Sequence, residues 1–212
     1  LSSFFNLMEC IYIADGHHRS AAASRVSKDG EIKNILSNFF LTVSFPHDEL
    51  RIIDYNRIVK DLNHHTSDQL IDKISKSFII EKIGKARKPT KKNTFGMYIE
   101  NQWYLLSIKD ELIPNDPVNK LDVSILQNYL LGPLLGIDDP RTNLRIDFVG
   151  GNRGLKELIR RVDNGENKIA FALYPTSMDD LMSVADKGLL MPPKSTWFEP
   201  KLADGLLTHI FS

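Results

Sequence analysis

The chain has 212 residues, of which 42% are hydrophobic and 25% are charged, with 27 basic residues balancing 27 acidic ones. This is the composition of an ordinary globular protein, and it excludes a disordered chain, collagen and a coiled coil. The longest apolar runs, such as Ile169 to Tyr174, are far shorter than the roughly 18 residues that a membrane helix needs, so we expect no membrane partner.

Charge and cysteine content narrow the class of function further. A net charge of zero creates no global field that attracts nucleic acid, so the sequence argues against a nucleic-acid partner and for small-molecule chemistry. The single cysteine, Cys10, excludes an internal disulfide and a multi-cysteine zinc site. A reducing compartment is the simplest expectation, and we predict a cytoplasmic protein.

The N-terminal quarter of the chain predicts strands around one helix. A short strand is predicted at Ile11 to Ala14, followed by a turn and by a helix that starts at His17 and meets no breaker before Gly30. Phe39 to Phe45 and Arg51 to Asp54 are rich in β-branched and aromatic residues, which predicts two further strands.

The rest of the chain continues the alternation of strands and helices. Helices are predicted from Ser67, at 121–131, at 155–162, where the pattern is amphipathic, and at 177–186. Strands are predicted at 78–80, 145–149, 169–174 and, at the end of the chain, 206–211; the strand at 169–174 is expected to be covered on both faces. Residues 94–99 and 103–108 are predicted to form a hairpin. This order predicts an α/β or α+β fold with a mixed sheet and helices.

The most informative chemistry lies in the turn Ala14-Asp15-Gly16-His17-His18-Arg19. Gly16 can adopt the positive φ of a tight turn, and a helix begins immediately afterwards. Free N–H groups at a helix start, beside the guanidinium of Arg19 and two imidazoles, predict an anion site. Asp15 can bind a metal, orient a histidine or act as a base. The alternative is that Asp15 only caps the helix and that the histidines are exposed polar residues.

A second cluster of candidate ligands lies in the proline-rich segment Pro192 to Lys201. Its candidate phosphate ligands are Lys194, Ser195, Thr196 and Lys201. Two cations and two hydroxyls on a loop stiffened by proline can hold a phosphate or a carboxylate. In the alternative interpretation, Trp197 and Phe198 fill the core and Lys194 is solvated. The sequence supports the two interpretations about equally.

For three other motifs, the sequence favours a structural role over a functional one. The glycine turn 150–154 lacks the spacing of a dinucleotide-binding turn. The pair His64-His65 lacks partners at metal-ligand spacing. The basic stretch from Lys82 to Lys92 is predicted to be an exposed, mobile connection between two strands that contributes little to stability.

Three segments, IADGHHRSAAASRV, NFFLTVSFPHDELRIIDYNRIVKDL and MPPKSTWFEPKLADGL, resemble the bacterial and archaeal domain-of-unknown-function family 1015. The resemblance runs through nearly the whole chain. In that family the ADGHHR motif follows a long N-terminal region, whereas here the chain starts at Leu1. We therefore expect a fragment that lacks its natural N-terminal region.

The turn is also similar to that of the ParB and sulfiredoxin superfamily, in which a strand and a DGHHR-like turn open a helix that holds nucleotide phosphates. That superfamily includes chromosome-partition nucleotide hydrolases, sulfiredoxins and free-serine kinases. The resemblance implies phosphate binding by Gly16, His17, His18 and Arg19, and it makes Asp15, His17 and His18 the catalytic candidates. The acidic base of the kinases lies upstream of this motif, so we expect it in the missing region.

These observations lead to a prediction of domains and function. Residues 1–62 are predicted to be the C-terminal part of a ParB-like nucleotide- and phosphate-binding domain, and residues 63–212 an α/β domain with a mixed sheet.

We predict a phosphoryl-transfer enzyme, kinase or phosphatase-like, that binds a small phosphorylated ligand, with Mg²⁺ and ATP or ADP as cofactors. Serine or phosphoserine is the substrate that the kinase branch suggests. The alternatives are a ParB-like DNA-associated or regulatory nucleotide-binding module and a noncatalytic structural domain. The sequence names neither metal ligands nor an oligomeric state.

Overall fold

A computed structural model of the protein describes residues 2–29, 35–203 and 205–210. The chain divides into two units: unit 1 comprises Leu1–Arg51 and Phe198–Ser212, and unit 2 comprises Ile52–Trp197. The sequence placed a boundary after residue 62, which differs from this division because residues 52–62 belong to unit 2. Among the described residues, no helix is long and apolar enough to cross a bilayer.

The described part of unit 1 contains two helices and one 3-10 turn. These are α1 (Ser2–Phe5), α2 (His17–Asp29) and the turn Ile35–Asn38. The three alanines that follow Ser20 favour helix, and Gly16, at a φ of 83°, turns the chain into α2. The helix predicted from His17 is therefore confirmed.

The strand predicted at Arg51 to Asp54 is confirmed over Arg51–Ile53, whereas three strands predicted in unit 1 are not formed. Residues 11–14 and 39–45 are irregular, and the closing strand predicted at 206–211 is absent over residues 206–210, with Phe211 outside the described residues. A β-branched and aromatic composition produces a strand only where a neighbouring strand completes the hydrogen-bond ladder. The predicted strand-turn-helix is corrected to an irregular segment, a turn and a helix.

Unit 2 is built on an antiparallel sheet. The strands of the chain are β1 (Arg51–Ile53), β2 (Tyr55–Val59), β3 (Phe78–Ile83), β4 (Thr94–Ile99), β5 (Gln102–Ile108), β6 (Ile146–Gly150), β7 (Ile169–Leu173) and β8 (Trp197–Glu199). Six of them form one sheet in the order β3-β5-β4-β7-β2-β6, and β1 and β8 lie where the chain passes between the units. β4 and β5 form the predicted hairpin, in which Glu100 and Asn101 take the positive φ that a two-residue turn requires.

The helices of unit 2 are α3 (Ser67–Ser75), α4 (Asp122–Leu126, continued by the π-helical turn Gln127–Leu131), α5 (Gly154–Asp163) and α6 (Met178–Asp186). The alternation of strands and helices confirms the predicted α/β or α+β class, but every strand pair of the large sheet is antiparallel. The expectation of a mixed sheet is corrected for a topological reason. β6 and β7, which α5 connects, run in the same direction, and β2 lies between them and pairs antiparallel with each.

Alternate residues of the sheet face two hydrophobic clusters. Met97 and Phe171 belong to the larger cluster, to which α3, α4 and α6 contribute. Their chain neighbours Tyr98 and Ala170 belong to the smaller cluster, together with Leu158 of α5. The sheet is thus covered on both sides, and all five residues of β7 are buried, as its unbroken apolar sequence predicted.

The glycine turn after β6 is required by packing. A Cβ on Gly151 would overlap the carboxylate of Asp54, and one on Gly150 would lie 2.9 Å from the ring of Trp197. Gly151 N also donates to Asp54 O at 2.7 Å. These close approaches support the structural interpretation of this turn over a dinucleotide site.

The basic stretch from Lys82 to Lys92 is more than a solvated connection. Lys88 Nζ lies 2.7 Å from Oδ1 of Asp54, whose side chain is only 4% exposed. Asn56 Nδ2 donates to the other oxygen of Asp54 at 2.7 Å. Lys92 Nζ lies 2.6 Å from Asp180 Oδ2. The expectation that this stretch contributes little is therefore corrected for two lysines, because each neutralises a carboxylate that the fold has taken out of water.

Candidate functional site

The start of α2 has a positive helix end with Asp15 as the carboxylate that precedes it. Gly16 N donates to Asp15 Oδ1 at 2.8 Å, and Gly16 O accepts from the Ser20 backbone N at 3.0 Å and from Ser20 Oγ at 3.2 Å. α2 has 13 residues, and its first turn contains no acidic side chain. The first-turn N–H groups have no partner within the helix, and no acidic side chain of that turn neutralises the positive end of the helix dipole.

Two cations lie beside the turn, and one of them contacts Asp15. Lys201 Nζ lies 2.8 Å from Asp15 Oδ2, so the structure joins two residues that the sequence placed in separate clusters. The guanidinium of Arg19 lies over the turn, since a Cβ on Gly16 would be 3.7 Å from Arg19 Nε. The result is one carboxylate and two cations beside a positive helix end, which leaves an excess of positive charge for an anion.

The same contacts determine the protonation of Asp15. The hydrogen bond from Lys201 lowers the pKa of Asp15 below its ordinary value; partial burial opposes this, while the Gly16 amide and the charge of Arg19 add to it. Asp15 is therefore ionised at neutral pH and is a weak base. Of the three roles that the sequence left open, binding a metal or orienting a neighbouring group fits this state better than abstracting a proton.

The histidines and the hydroxyl at the helix start have different environments. His17 and His18, the first two residues of α2, are exposed and accessible to a ligand. Ser20 is partly buried and holds the turn through its two contacts with Gly16 O. Ser20 was not among the residues predicted from the sequence, although a hydroxyl four residues after a turn glycine is the signal that indicates such a contact.

The second predicted cluster is divided between the units. Lys194, Ser195 and Thr196 belong to unit 2, whereas Lys201 belongs to unit 1. The carbonyl of Lys194 accepts from Arg57 Nη2 at 2.9 Å, and its Nζ lies 5.8 Å from the centre of the Tyr55 ring. Ser195 is buried, and its Oγ donates to Pro192 O at 2.6 Å. The Ser195 hydroxyl thus shapes the loop.

The two aromatic residues of that loop pack against the protein, which both interpretations of the loop allow. Trp197 stacks edge to face with Tyr55 at 5.2 Å between ring centres, and Phe198 is buried. No group of three or more histidine, cysteine or acidic side chains within the described ranges is placed to hold a metal ion. Any metal at the start of α2 would therefore take most of its ligands from its substrate or from water.

A comparison with known protein families identifies the family of this chain. Residues 1–124 match the model of a family described as protein of unknown function (DUF1015). The chain belongs to the DUF1015 family. The match includes α2 and the Asp15 turn, and it confirms the family that the sequence resembles; the likeness to the ParB and sulfiredoxin superfamily stays a prediction. No curated protein matches the chain.

Several solved structures match the chain at low sequence identity. A free serine kinase in complex with AMP is 16% identical, with a TM-score of 0.48 over 88% of this chain and 66% of that one. A conserved hypothetical protein from Pyrococcus furiosus is 15% identical, with a TM-score of 0.47 over 88% of this chain and 68% of that one. The DUF1015 chain therefore spans just under two thirds of the length of the serine kinase.

Proposed function

We propose that this DUF1015 protein binds a phosphate group of a nucleotide or phosphorylated metabolite at the start of α2, and that it takes part in phosphoryl transfer. The observation that carries the proposal is the ion pair of Lys201 with Asp15 together with the position of Arg19 over Gly16, beside a helix whose first turn has no acidic residue. A dianionic phosphate fits this charge distribution because it meets two cations and free N–H groups at once.

Each residue of the turn has a role in this proposal. Arg19 provides a planar fork that can donate two parallel hydrogen bonds to phosphate oxygens, and Lys201 adds a charge that Asp15 holds in place. Gly16, without a side chain, lets a phosphate approach the backbone, and His17 and His18 are further donors. Lys194, Ser195 and Thr196 stay predictions from the sequence and carry no part of this proposal.

The chemistry that this arrangement supports is electrostatic. Phosphoryl transfer develops charge on the oxygens of the transferred group, and fixed donors stabilise that charge without reorganising. Mg²⁺ would be held by ionised Asp15 together with phosphate oxygens and water, which agrees with its preference for few protein ligands. We propose ATP or ADP as the nucleotide, with free serine or phosphoserine as the substrate that the sequence resemblance suggests.

Binding by Arg19 variants tests the proposal. The 212-residue chain is screened by thermal shift with AMP, ADP, ATP and O-phosphoserine, each with and without Mg²⁺, and the best ligand is titrated by calorimetry. Arg19→Ala should weaken binding roughly 10- to 150-fold, because a charge-assisted hydrogen bond contributes about 1.5–3 kcal/mol. Arg19→Lys should recover part of the loss, since an ammonium cannot donate a bidentate pair.

The matched control is Arg25→Ala, an exposed arginine further along the same helix, which should bind like the parent. Parent-like affinity in Arg19→Ala removes the proposal. If the nucleotide binds but phosphorus NMR shows no phosphoryl transfer to serine, the hypothesis of a phosphoryl-transfer enzyme is replaced by that of a regulatory nucleotide-binding module.

A further inference from the structure

One side of unit 2 carries basic side chains from two neighbouring elements. The connection between β3 and β4 crosses the sheet on the side of the smaller hydrophobic cluster. A Cβ on Gly96 would lie 3.6 Å from Arg87 O and 3.1 Å from the ring of Trp103, which belongs to that cluster. Lys88 Nζ donates to Gly151 O at 3.4 Å, just before α5 begins. Since α5 packs on the same cluster, the connection and α5 lie side by side on this side of the sheet.

The cations on this surface are not neutralised by the protein. The four that it exposes are Lys85 and Arg87 in the connection, Arg153 at the N-cap of α5, and Lys156 in the first turn of α5. None of them forms an ion pair within the ranges that the structure describes. The connection contains no acidic residue, and Glu157 of α5 is already paired with Arg160 at 2.9 Å. We call these four residues the basic face, a local excess of positive charge that the zero net charge of the whole chain conceals.

The composition of the basic face selects the class of partner. None of the exposed large hydrophobic residues in the described chain lies in the connection or in α5. A protein interface has an apolar or aromatic core, and stable attachment to a membrane needs an apolar anchor, so a surface of cations alone matches neither partner. Interfaces with nucleic acid are polar and strongly positive. Because a single strand also needs exposed aromatic rings on which its bases stack, the basic face fits a duplex better.

We propose that the basic face binds the phosphate backbone of a nucleic-acid duplex without reading its base sequence. Arg87 and Arg153 can each donate two parallel hydrogen bonds to phosphate oxygens, while Lys85 and Lys156 add point charges. α5 is about 15 Å long, and a duplex carries roughly nine phosphate charges over that length, so several cations can be paired at once. All four residues belong to unit 2, so the proposal does not depend on the phosphate site of α2.

Salt dependence is the signature of such binding. Each phosphate that a cation neutralises releases counterions, so the logarithm of the affinity for duplex DNA falls with the logarithm of the salt concentration, with a slope of about −0.9 for each contact. Four contacts predict a slope of about −3.6. The affinity should therefore fall roughly 100-fold between 50 and 200 mM NaCl.

Fluorescence anisotropy of labelled duplexes measures this binding on the full chain. Two DNA duplexes of different sequence and one RNA duplex, all of equal length, are titrated across this range of salt. A single strand of the same length and vesicles of phosphatidylserine serve as comparisons. The two DNA duplexes should bind equally, and the single strand at least threefold more weakly. The tighter of the DNA and RNA duplexes then identifies the ligand.

Paired variants assign the binding to the basic face. The double variant Lys85→Gln with Arg87→Gln should weaken duplex binding at least fivefold at 50 mM NaCl and reduce the salt slope by about 1.8. Its matched control, Lys76→Gln with Lys120→Gln, removes the same charge beside α3 and α4, on the side of the larger cluster, and should bind like the parent. All four substituted residues are exposed, so the melting temperature should change little in either variant. Arg19→Ala should also bind duplexes like the parent.

Three results overturn the proposal. The first is the absence of saturable binding to every duplex at 50 mM NaCl. The second is an equal loss in the double variant and its control, which would mean that only the net charge matters. The third is vesicle binding as tight as duplex binding and equally sensitive to the double variant, which would assign the basic face to lipid head groups. The phosphate site of α2 is tested separately with small ligands and Arg19→Ala.

Discussion

Apolar side chains have opposite environments in the two units. In unit 2, Phe95 and Phe171 are wholly buried in a sheet that helices cover on both sides. In unit 1, Phe4 and Leu7 are exposed by 68% and 82% of their surface, and the apolar residues of the segment 39–45 are exposed as well. A packed core stabilises unit 2, whereas α2 depends mainly on helix propensity and local contacts. An exposed apolar surface of this kind is typical of regions that pack against another surface.

The largest expected effect is a contrast between two phenylalanines. Phe171→Ala should lower the free energy of unfolding by about 3–5 kcal/mol, because it leaves a cavity in the larger cluster. Phe4→Ala should change it by less than about 0.5 kcal/mol. Urea unfolding followed by far-ultraviolet circular dichroism measures both, since this signal reports on the helices of unit 1 as well as on the sheet and helices of unit 2. A similar loss in the two variants would contradict the difference between the units.

The second prediction concerns pH and the buried carboxyl of Asp122. Its pKa is about 7 in the folded protein and 3.8 is its ordinary value, so between pH 4 and 7 the unfolded chain releases this proton while the folded chain keeps it. The stability from this group is fully present below pH 4 and is lost as the pH rises to about 7. The loss should be on the order of 4 kcal/mol.

Comparison with Asp122→Asn isolates that contribution. The variant cannot titrate at this position, so its unfolding free energy should fall less than that of the parent between pH 4 and 8. Urea unfolding at five pH values across this range provides the two curves. Parallel curves would show that Asp122 titrates normally.

The third prediction ranks the lysines of the basic stretch. Lys88→Gln should lower the free energy of unfolding by about 1–3 kcal/mol, because it leaves the buried carboxylate of Asp54 without its cation. Lys85→Gln, an exposed neighbour, should stay within about 0.5 kcal/mol of the parent. Equal effects of the two substitutions would restore the interpretation of a solvated loop.

The smallest expected effect is in unit 1. Lys201→Ala removes a pair whose two side chains are about half exposed, so the melting temperature should change little. The pKa of Asp15 should rise toward its ordinary value, because the largest cause of its lowering is the Lys201 hydrogen bond. Carboxyl NMR of the parent and the variant measures this shift. An unchanged pKa would mean that Lys201 does not contact Asp15 in solution.

Local sequence patterns predicted unit 2 better than unit 1 for a physical reason. The hairpin of β4 and β5, the amphipathic α5 and the buried β7 each carry their signal within a few residues. The strands predicted at 11–14 and 39–45 failed because pairing depends on a partner that local sequence does not specify.

The polar contacts were missed for the same reason. Lys88 and Asp54 are 34 residues apart, and Lys201 and Asp15 are 186 apart. The sequence identified the helix start and all three of Asp15, Arg19 and Lys201 as candidates. Only the fold brings Lys201 to Asp15, and only burial distinguishes Lys88 from its solvated neighbours.

The position of β7 has a consequence for how this chain is made. β7 lies between β4 and β2, so without it the sheet would separate into β3-β5-β4 on one side and β2-β6 on the other. During synthesis, β2 leaves the ribosome more than a hundred residues before residue 173 completes β7. Because pairings between distant segments close slowly, the apolar edges of β2 and β4 stay open to wrong partners throughout that interval. A nascent chain stalled just before β7 should therefore be the form of this protein that chaperones bind most strongly.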